Sequence, residues 1–378
     1  MILHAGFVDA GISSIRREFI KLSIFISVLV ALGCVFDIRK RSAYKARYYR
    51  KRRYNSSCIT MKVGYNMIML KRAVAARFPT IYKRIASCRR SFIYYYHKSL
   101  HPDEYPKRIC KLYKRALRKT LDLSNPRTYT QKMQWAKLYD SDPLKTMLTD
   151  KYLVREWVAG KIDETYLIPL LGVWDHFDEI DFDCLPNKFV LKANHGSGWN
   201  IIVKDKECFD RYHARKLFSK WLNTNFAYFS FEMHYKDIVP KIIAEQFLDN
   251  NGNEPEDFKF LCFDGEVKYC WVDINRFTDH RRNVYDTDWV LQEWRQHTYR
   301  NTDNPLPKPK NFNLMIELTK ELARGFSHVR VDWYNVQGRV YFGEMTFTNA
   351  SGFEGIYPHK YDQMLGDLWN LPINKDNG

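Results

Sequence analysis

No two of the chain's eight cysteines stand as a Cys-x-x-Cys pair. Cys34, Cys58, Cys88, Cys110, Cys184, Cys208, Cys262 and Cys270 follow no zinc or disulfide spacing, so reduced thiols in a cytoplasmic protein are expected. Internal repeats and low-complexity segments are also missing, and 45% hydrophobic residues exclude wholesale disorder. The 378 residues suffice for one large domain or two to three smaller ones. Acidic residues are scarce at one end only. Residues 1–120 hold 28 Lys and Arg against 5 Asp and Glu, whereas the remaining 258 hold 32 against 38. The net charge of +17 therefore belongs to the N-terminal third, ahead of a mildly acidic body. No helix-turn-helix, zinc-finger spacing or RNP-like motif accompanies the basic stretch, and nucleic acid is not expected as a partner.

Long apolar runs are scarce as well. Leu22–Phe36 is the longest, and it reaches back to Phe19 only across Lys21. A spanning helix needs roughly 17–25 residues, so residues 19–36 are a marginal anchor. Arg39, Lys40, Arg41, Lys45, Arg47 and Arg50 to Arg53 follow, and the positive-inside rule keeps that flank and the body in the cytoplasm, on the inner face of the membrane. Two other readings stand beside this one. Ala31-Leu32-Gly33-Cys34 is a weak match to a signal-peptide cleavage site, and Met61 or Met67 is an alternative start that would leave 1–60 untranslated. Residues 61–125 form a basic, tyrosine-rich lead with Arg89-Arg90 and Tyr94-Tyr95-Tyr96, expected to be partly helical and to contact a membrane surface or a phosphorylated partner.

Past Asn125-Pro126 the texture is that of an α+β body, 126–376. Apolar spacing predicts helices over 131–139, 145–158, 211–223 and 313–325, the last stopped by Gly325. Strands are predicted over 188–193, 201–204, 242–248, 258–263, 267–272, 329–334 and 339–344, with Asp264-Gly265 as a hairpin turn.

Three stretches carry candidate chemistry. Lys192 ends an apolar strand before the loop Gly196-Ser197-Gly198, whose amides suit an anion. Glu245 sits in an apolar strand, where a carboxylate needs a partner or a cleft. Arg330 and Asp332 share one strand face by the period-two rule. A three-residue turn at 337–339 would set Asp332 opposite Glu344, a pairing of like charges that persists with a metal between them. Thr346 and Asn349 add oxygen ligands. A surface hairpin, an exposed edge-strand glutamate and a solvated Arg–Asp pair are the plain alternatives. Asp140-Ser141-Asp142, Asp181-Phe182-Asp183 and Asp286-Thr287-Asp288 each match Asp-x-Asp, too common here to single out a nucleotide-sugar site.

Together these residues resemble the ATP-grasp superfamily. More closely they resemble its TupA-like branch of teichuronopeptide and surface-polysaccharide synthesis, whose members are often labelled glycosyltransferases. Lys132–Tyr139, Asp150–Arg155, Ile168–Trp174, Asn194–Gly198 and Gly343–Phe347 carry the likeness, which spans about 120–372. The resemblance implies an ATP-grasp fold, with a small nucleotide-clamping subdomain at 186–250 and a metal-binding one at 251–376. ATP and Mg2+ are the implied cofactors. Lys192 would meet the phosphates, and Lys151 (alternatively Arg155) would be the earlier cation. Glu245 would take the adenine–ribose end, Asp332 and Glu344 the magnesium, and Arg330 the phosphoryl group in transit. Thr346 stands where the family's usual pattern has asparagine, so Asn349 is a substitute third ligand. The implied reaction activates the carboxylate of a sugar or amino acid as an acyl phosphate for attack by an amine on an acceptor. Transfer from a nucleotide sugar is the alternative.

Overall fold

The computed structural model describes residues 77–372, apart from 141, 253–254, 276–278 and 297–298. The chain falls into two compact units, 1–87 and 88–378. Of the first, only 77–87 are described, and they include the start of helix α1 (Pro79–Lys98). The expected anchor at 19–36 and the alternative starts lie outside the described residues. Among the described residues no helix is long and apolar enough to cross a membrane, and the six cysteines there are free thiols.

The second unit continues through α2 (Tyr105–Leu117), α3 (Tyr129–Tyr139), α4 (Pro143–Thr149) and α5 (Val154–Ile162). The single helix expected over 145–158 is thus two. Asp150 breaks it: one carboxylate oxygen accepts the amides of Tyr152 and Leu153 at 2.8 and 3.3 Å, a local bond that competes with the helix ladder.

Strands β1 (Leu170–Trp174), β2 (Phe189–Ala193), β3 (Asn200–Val203) and β4 (Ile242–Gln246) form an antiparallel sheet in the order β1-β4-β2-β3. β1 comes from outside 186–250 and pairs with β4. Its apolar run around Gly172 has no alternation to mark it as a strand. Alternation then sorts the sheet's faces. Phe189, Leu191, Ala193, Ile242 and Ala244 pack with Ala214 and Phe218 of α6 (Arg211–Leu222), which turns Lys192 and Glu245 to the opposite face.

The larger sheet comprises β5 (Glu256–Phe263), β6 (Glu266–Ile274), β7 (Arg281–Asp286), β9 (His328–Val336) and β10 (Arg339–Thr346), in the order β10-β9-β5-β6-β7. A short pair, β8 (Arg295–Gln296) and β11 (Ile356–Tyr357), lies beside it. Helices α7 (Phe312–Ala323) and α8 (Lys360–Asp367) complete the unit. Phe258, Phe260, Val329, Val331 and Trp333 bury one face with α5 and α7. The other face changes character along its strands. Leu261, Phe263 and Trp271 pack with Tyr129 and Met133 of α3 and with Leu365 and Trp369. The next positions on that face are Lys259, Asp257, Arg330 and Asp332, all at most 7% exposed.

Candidate active site

Asp264 and Gly265, both at positive φ, make the expected β5–β6 turn. The β9–β10 turn differs from expectation. It has two residues, Gln337 and Gly338, at φ 51° and 80°. Such a turn alone would leave Asp332 opposite Gly343. A bulge between Phe342 and Glu344 shifts the register by one, and Glu344 then pairs with Asp332. The bulge favours glycine, because a Cβ on Gly343 would lie a tight 3.0 Å from the Asp332 carbonyl oxygen.

The group between the two carboxylates is Arg330. Its Nε and Nη2 donate to the two oxygens of Asp332 at 2.6 and 2.7 Å. Nη2 also reaches Glu344 Oε1 and Thr346 Oγ1, both at 3.0 Å, and Nη1 donates to Asn349 Oδ1. On the other side of Asp332, Lys259 Nζ bonds its Oδ2 at 2.6 Å and both oxygens of Asp257 at 2.7 and 2.8 Å. Like charges side by side need neutralising, and here the buried guanidinium of Arg330 and the Lys259 ammonium do so. Burial alone would weaken the charge on Arg330, but Asp332 and Glu344 hold its pKa above the ordinary value. Burial likewise pushes the Asp332 carboxyl upward, against the pull of Arg330 and Lys259. Glu344 is different. Burial works against its charge, yet Lys151, Arg330 and Lys259 with the Thr346 hydroxyl bring its pKa down to about 2.

Across the cleft, Glu245 receives Arg155 Nη1 at 3.1 Å on Oε1 and Lys192 Nζ on Oε2. Lys151 donates to the Gly196 carbonyl at 2.6 Å. Burial pulls the Lys151 pKa down, with Glu344 opposing. Lys151, Arg155, Lys192, Glu245, Phe342, Gly343 and Glu344 line a common cavity of ≈ 20 Å³. That holds about one water; a nucleotide enters only as these side chains part. Gly196 and Gly198 serve the loop in different ways. A Cβ on Gly196 would strike the Trp199 ring at 2.3 Å, whereas Gly198 supplies a φ of +70°. Ser197 is exposed.

Sequence reasoning missed three groups. Lys259 and Asp257 belong to no motif, and Asp257 lies just outside the strand predicted over 258–263; the register with β9 brings them beside Asp332. Asn194 is fully buried and ties the loop to the Asp150 break. Its Nδ2 donates to Asp150 Oδ2 and the Val239 carbonyl, both at 2.9 Å, and its Oδ1 accepts the Lys241 amide at 2.7 Å. Asn194→Ala is expected to cost about 1–3 kcal/mol in urea unfolding, since it strands buried partners.

The Asp-x-Asp triplets serve turns and caps. Asp286 Oδ1 accepts the amides of Asp288 and Val290, Asp181 that of Asp183, and Asp142 caps α4 at Leu144.

Among the described residues no three His, Cys, Asp or Glu side chains cluster as a metal cage. Magnesium, however, is usually held by one or two carboxylates plus phosphates and water. Glu344 fits that use: its side chain is 38% exposed and it takes its hydrogen bonds on Oε1. Asp332 fits once Lys259 or Arg330 releases an oxygen. Thr346 and Asn349 fit less well. The Thr346 hydroxyl donates to Glu344 at 3.1 Å, the Asn349 oxygen is on Arg330, and the Asn349 Nδ2, buried without a hydrogen-bond partner, is a donor.

The sequence profile of the family described as TupA-like ATPgrasp matches residues 131–370. The chain belongs to this family, and its fold is the ATP-grasp fold. No curated protein matches it. Among solved structures it is similar to N5-carboxyaminoimidazole synthetase from Staphylococcus aureus, at 12% identity over 53% of this chain and 44% of that one, TM-score 0.33. It is similar too to D-alanine–D-alanine ligase from Bacillus anthracis complexed with ATP, at 14% identity over 53% and 54%, TM-score 0.32. The chain spans about half the length of these structures. The family assignment rests on the profile.

Proposed function

We propose that the protein is an ATP-dependent ligase of cell-surface polysaccharide assembly that joins a carboxylate to an amine through an acyl phosphate. The observation that carries this reading is the convergence of Lys151, Arg155 and Lys192 from one side, and Glu344 beside Arg330 from the other, on one cleft. Arg155 and Lys192 now share one carboxylate, Glu245. A polyphosphate is the better acceptor for both, which frees Glu245 for the adenine–ribose end. Arg330, held by four acceptor residues, stabilises the γ-phosphoryl group as its bond to the β-phosphate oxygen breaks and the substrate carboxylate oxygen takes it up. The amine then attacks the acyl carbon, phosphate leaves, and the nitrogen loses a proton. Bound through Glu344 and Asp332, magnesium would supply charge neutralisation on the phosphates.

The nucleotide products test the chemistry. ADP and phosphate are expected in equal amounts with a carboxylate and an amine acceptor; AMP and pyrophosphate contradict the mechanism.

The basic lead fits an anionic membrane surface as the site of work. Arg89, Arg90, Phe92, Tyr95 and Tyr96 of α1 and Lys107, Lys111, Lys114 and Arg115 of α2 are exposed, and neither helix has an acid in its first turn. Binding to phosphatidylglycerol vesicles that salt reverses is expected; equal binding to neutral vesicles contradicts it.

A further inference from the structure

The motif Lys132–Tyr139 on α3 plays no part in the chemistry above. Lys132 ties α3 to the end of α8, where its Nζ bonds the carbonyls of Gly366 and Trp369 at 2.8 and 2.6 Å. Lys137 is different. It is 2% exposed, and its hydrogen-bond partners are neutral: Gln134 Oε1 at 2.8 Å, the Ser351 carbonyl at 3.0 Å and Ser351 Oγ at 3.3 Å. The Phe353 ring lies 4.2 Å from its ammonium. Burying an ammonium without an ion pair is costly, and a leucine or methionine would fill the space. The cation instead serves one short turn.

That turn is strained. Ala350, Ser351 and Gly352 follow one another at φ 46°, 56° and 65°, a left-handed run that a Cβ resists at the first two. α3 packs so closely that a Cβ on Gly352 would lie 2.4 Å from Gln134 Nε2. Gln134 Nε2 itself donates to the Ser351 carbonyl at 3.0 Å. On the entry side, Thr348 donates to Glu232 Oε1 at 2.5 Å. Between these two anchors sits Asn349, with its oxygen on Arg330.

We infer that Lys137 is a positioning residue. Its Nζ donates to the Ser351 carbonyl and so holds the left-handed turn, which keeps Asn349 on Arg330 and that guanidinium aimed at the cleft. The titratable groups that interact with it are Glu232, His234 and His97. Burial brings the Lys137 pKa down to about 7 with Glu232 opposing, and takes His234 to about 3 with Lys145 and Lys137 adding to the fall. The catalytic consequence rests on the ligase reading; the brace itself does not.

The full chain with Lys137→Met, Lys137→Arg and Gly352→Ala tests the inference by two readouts. Amide hydrogen exchange reports the turn, and steady-state ADP release reports kcat and KM for Mg-ATP. In Lys137→Met, faster exchange at 349–353 is expected, with kcat lowered about 10- to 100-fold and KM changed less than about threefold. Lys137→Arg should recover part of kcat, because it still donates to the Ser351 carbonyl. Gly352→Ala should reproduce the same split without touching the lysine. Unchanged exchange in Lys137→Met overturns the brace, as does a kcat loss that tracks KM and melting temperature together. A wild-type chain without ADP release would refute the ligase reading, and the exchange comparison would still decide the brace.

Discussion

Arg330→Met should reduce turnover about 100- to 1,000-fold and destabilise the folded unit by about 3–5 kcal/mol. Both effects have one source. The guanidinium is 7% exposed and donates to Asp332, Glu344, Thr346 and Asn349. Without it, Asp332 and Glu344 face each other across β9 and β10 with Lys259 on the far side of Asp332. Arg330→Lys keeps the charge but not the paired donation to Asp332, so it should fold nearly as well as wild type and remain slow. Urea midpoints and ADP release give the two numbers. Wild-type turnover in Arg330→Lys would remove the arginine from the chemistry.

Glu344→Gln is the second large effect. Loss of the exposed anionic oxygen should lower turnover at least about 100-fold and raise the magnesium needed for half-maximal rate about 10- to 100-fold. It also has a signature at acid pH. The folded pKa of about 2 lies below the ordinary value near 4.3. A depressed carboxyl contributes stability that is present above the unfolded pKa and is lost as pH falls through the folded one. Wild type should therefore lose stability between about pH 4.5 and 2 more steeply than Glu344→Gln. Parallel melting curves across that window would show that the cations around Glu344 do not hold it ionised.

The strand faces were legible because alternation fixes them within each strand: Lys192 falls opposite Phe189 and Leu191, and Glu245 opposite Ile242 and Ala244. Asp-Gly announced its turn chemically. Gln337 carries no such signal, so a two-residue turn looked like a longer one, and the Asp332–Glu344 pairing came out the same only because a bulge at Gly343 added the missing residue. The helix break at Asp150 was hidden because apolar spacing continues through it; the carboxylate's bonds to Tyr152, Leu153 and Asn194 stop the helix there. What occupied the space between two acids was not legible either. Parity predicted that Arg330 shares their face, but not that it, with Lys259 from a strand some seventy positions away, would take the neutralising role.

The cleft is expected to bind Mg-ATP through Lys192 and its neighbours. Thermal unfolding of the full chain with Mg-ATP, Mg-ADP and a panel of UDP- and GDP-sugars tests it most directly. Ligand at about 100 times its dissociation constant adds roughly 2.7 kcal/mol, a visible shift. Stabilisation by Mg-ATP that disappears in Lys192→Ala is the predicted result. Stabilisation by a nucleotide sugar alone, unaffected by Lys192→Ala, would contradict it and make the protein a glycosyltransferase.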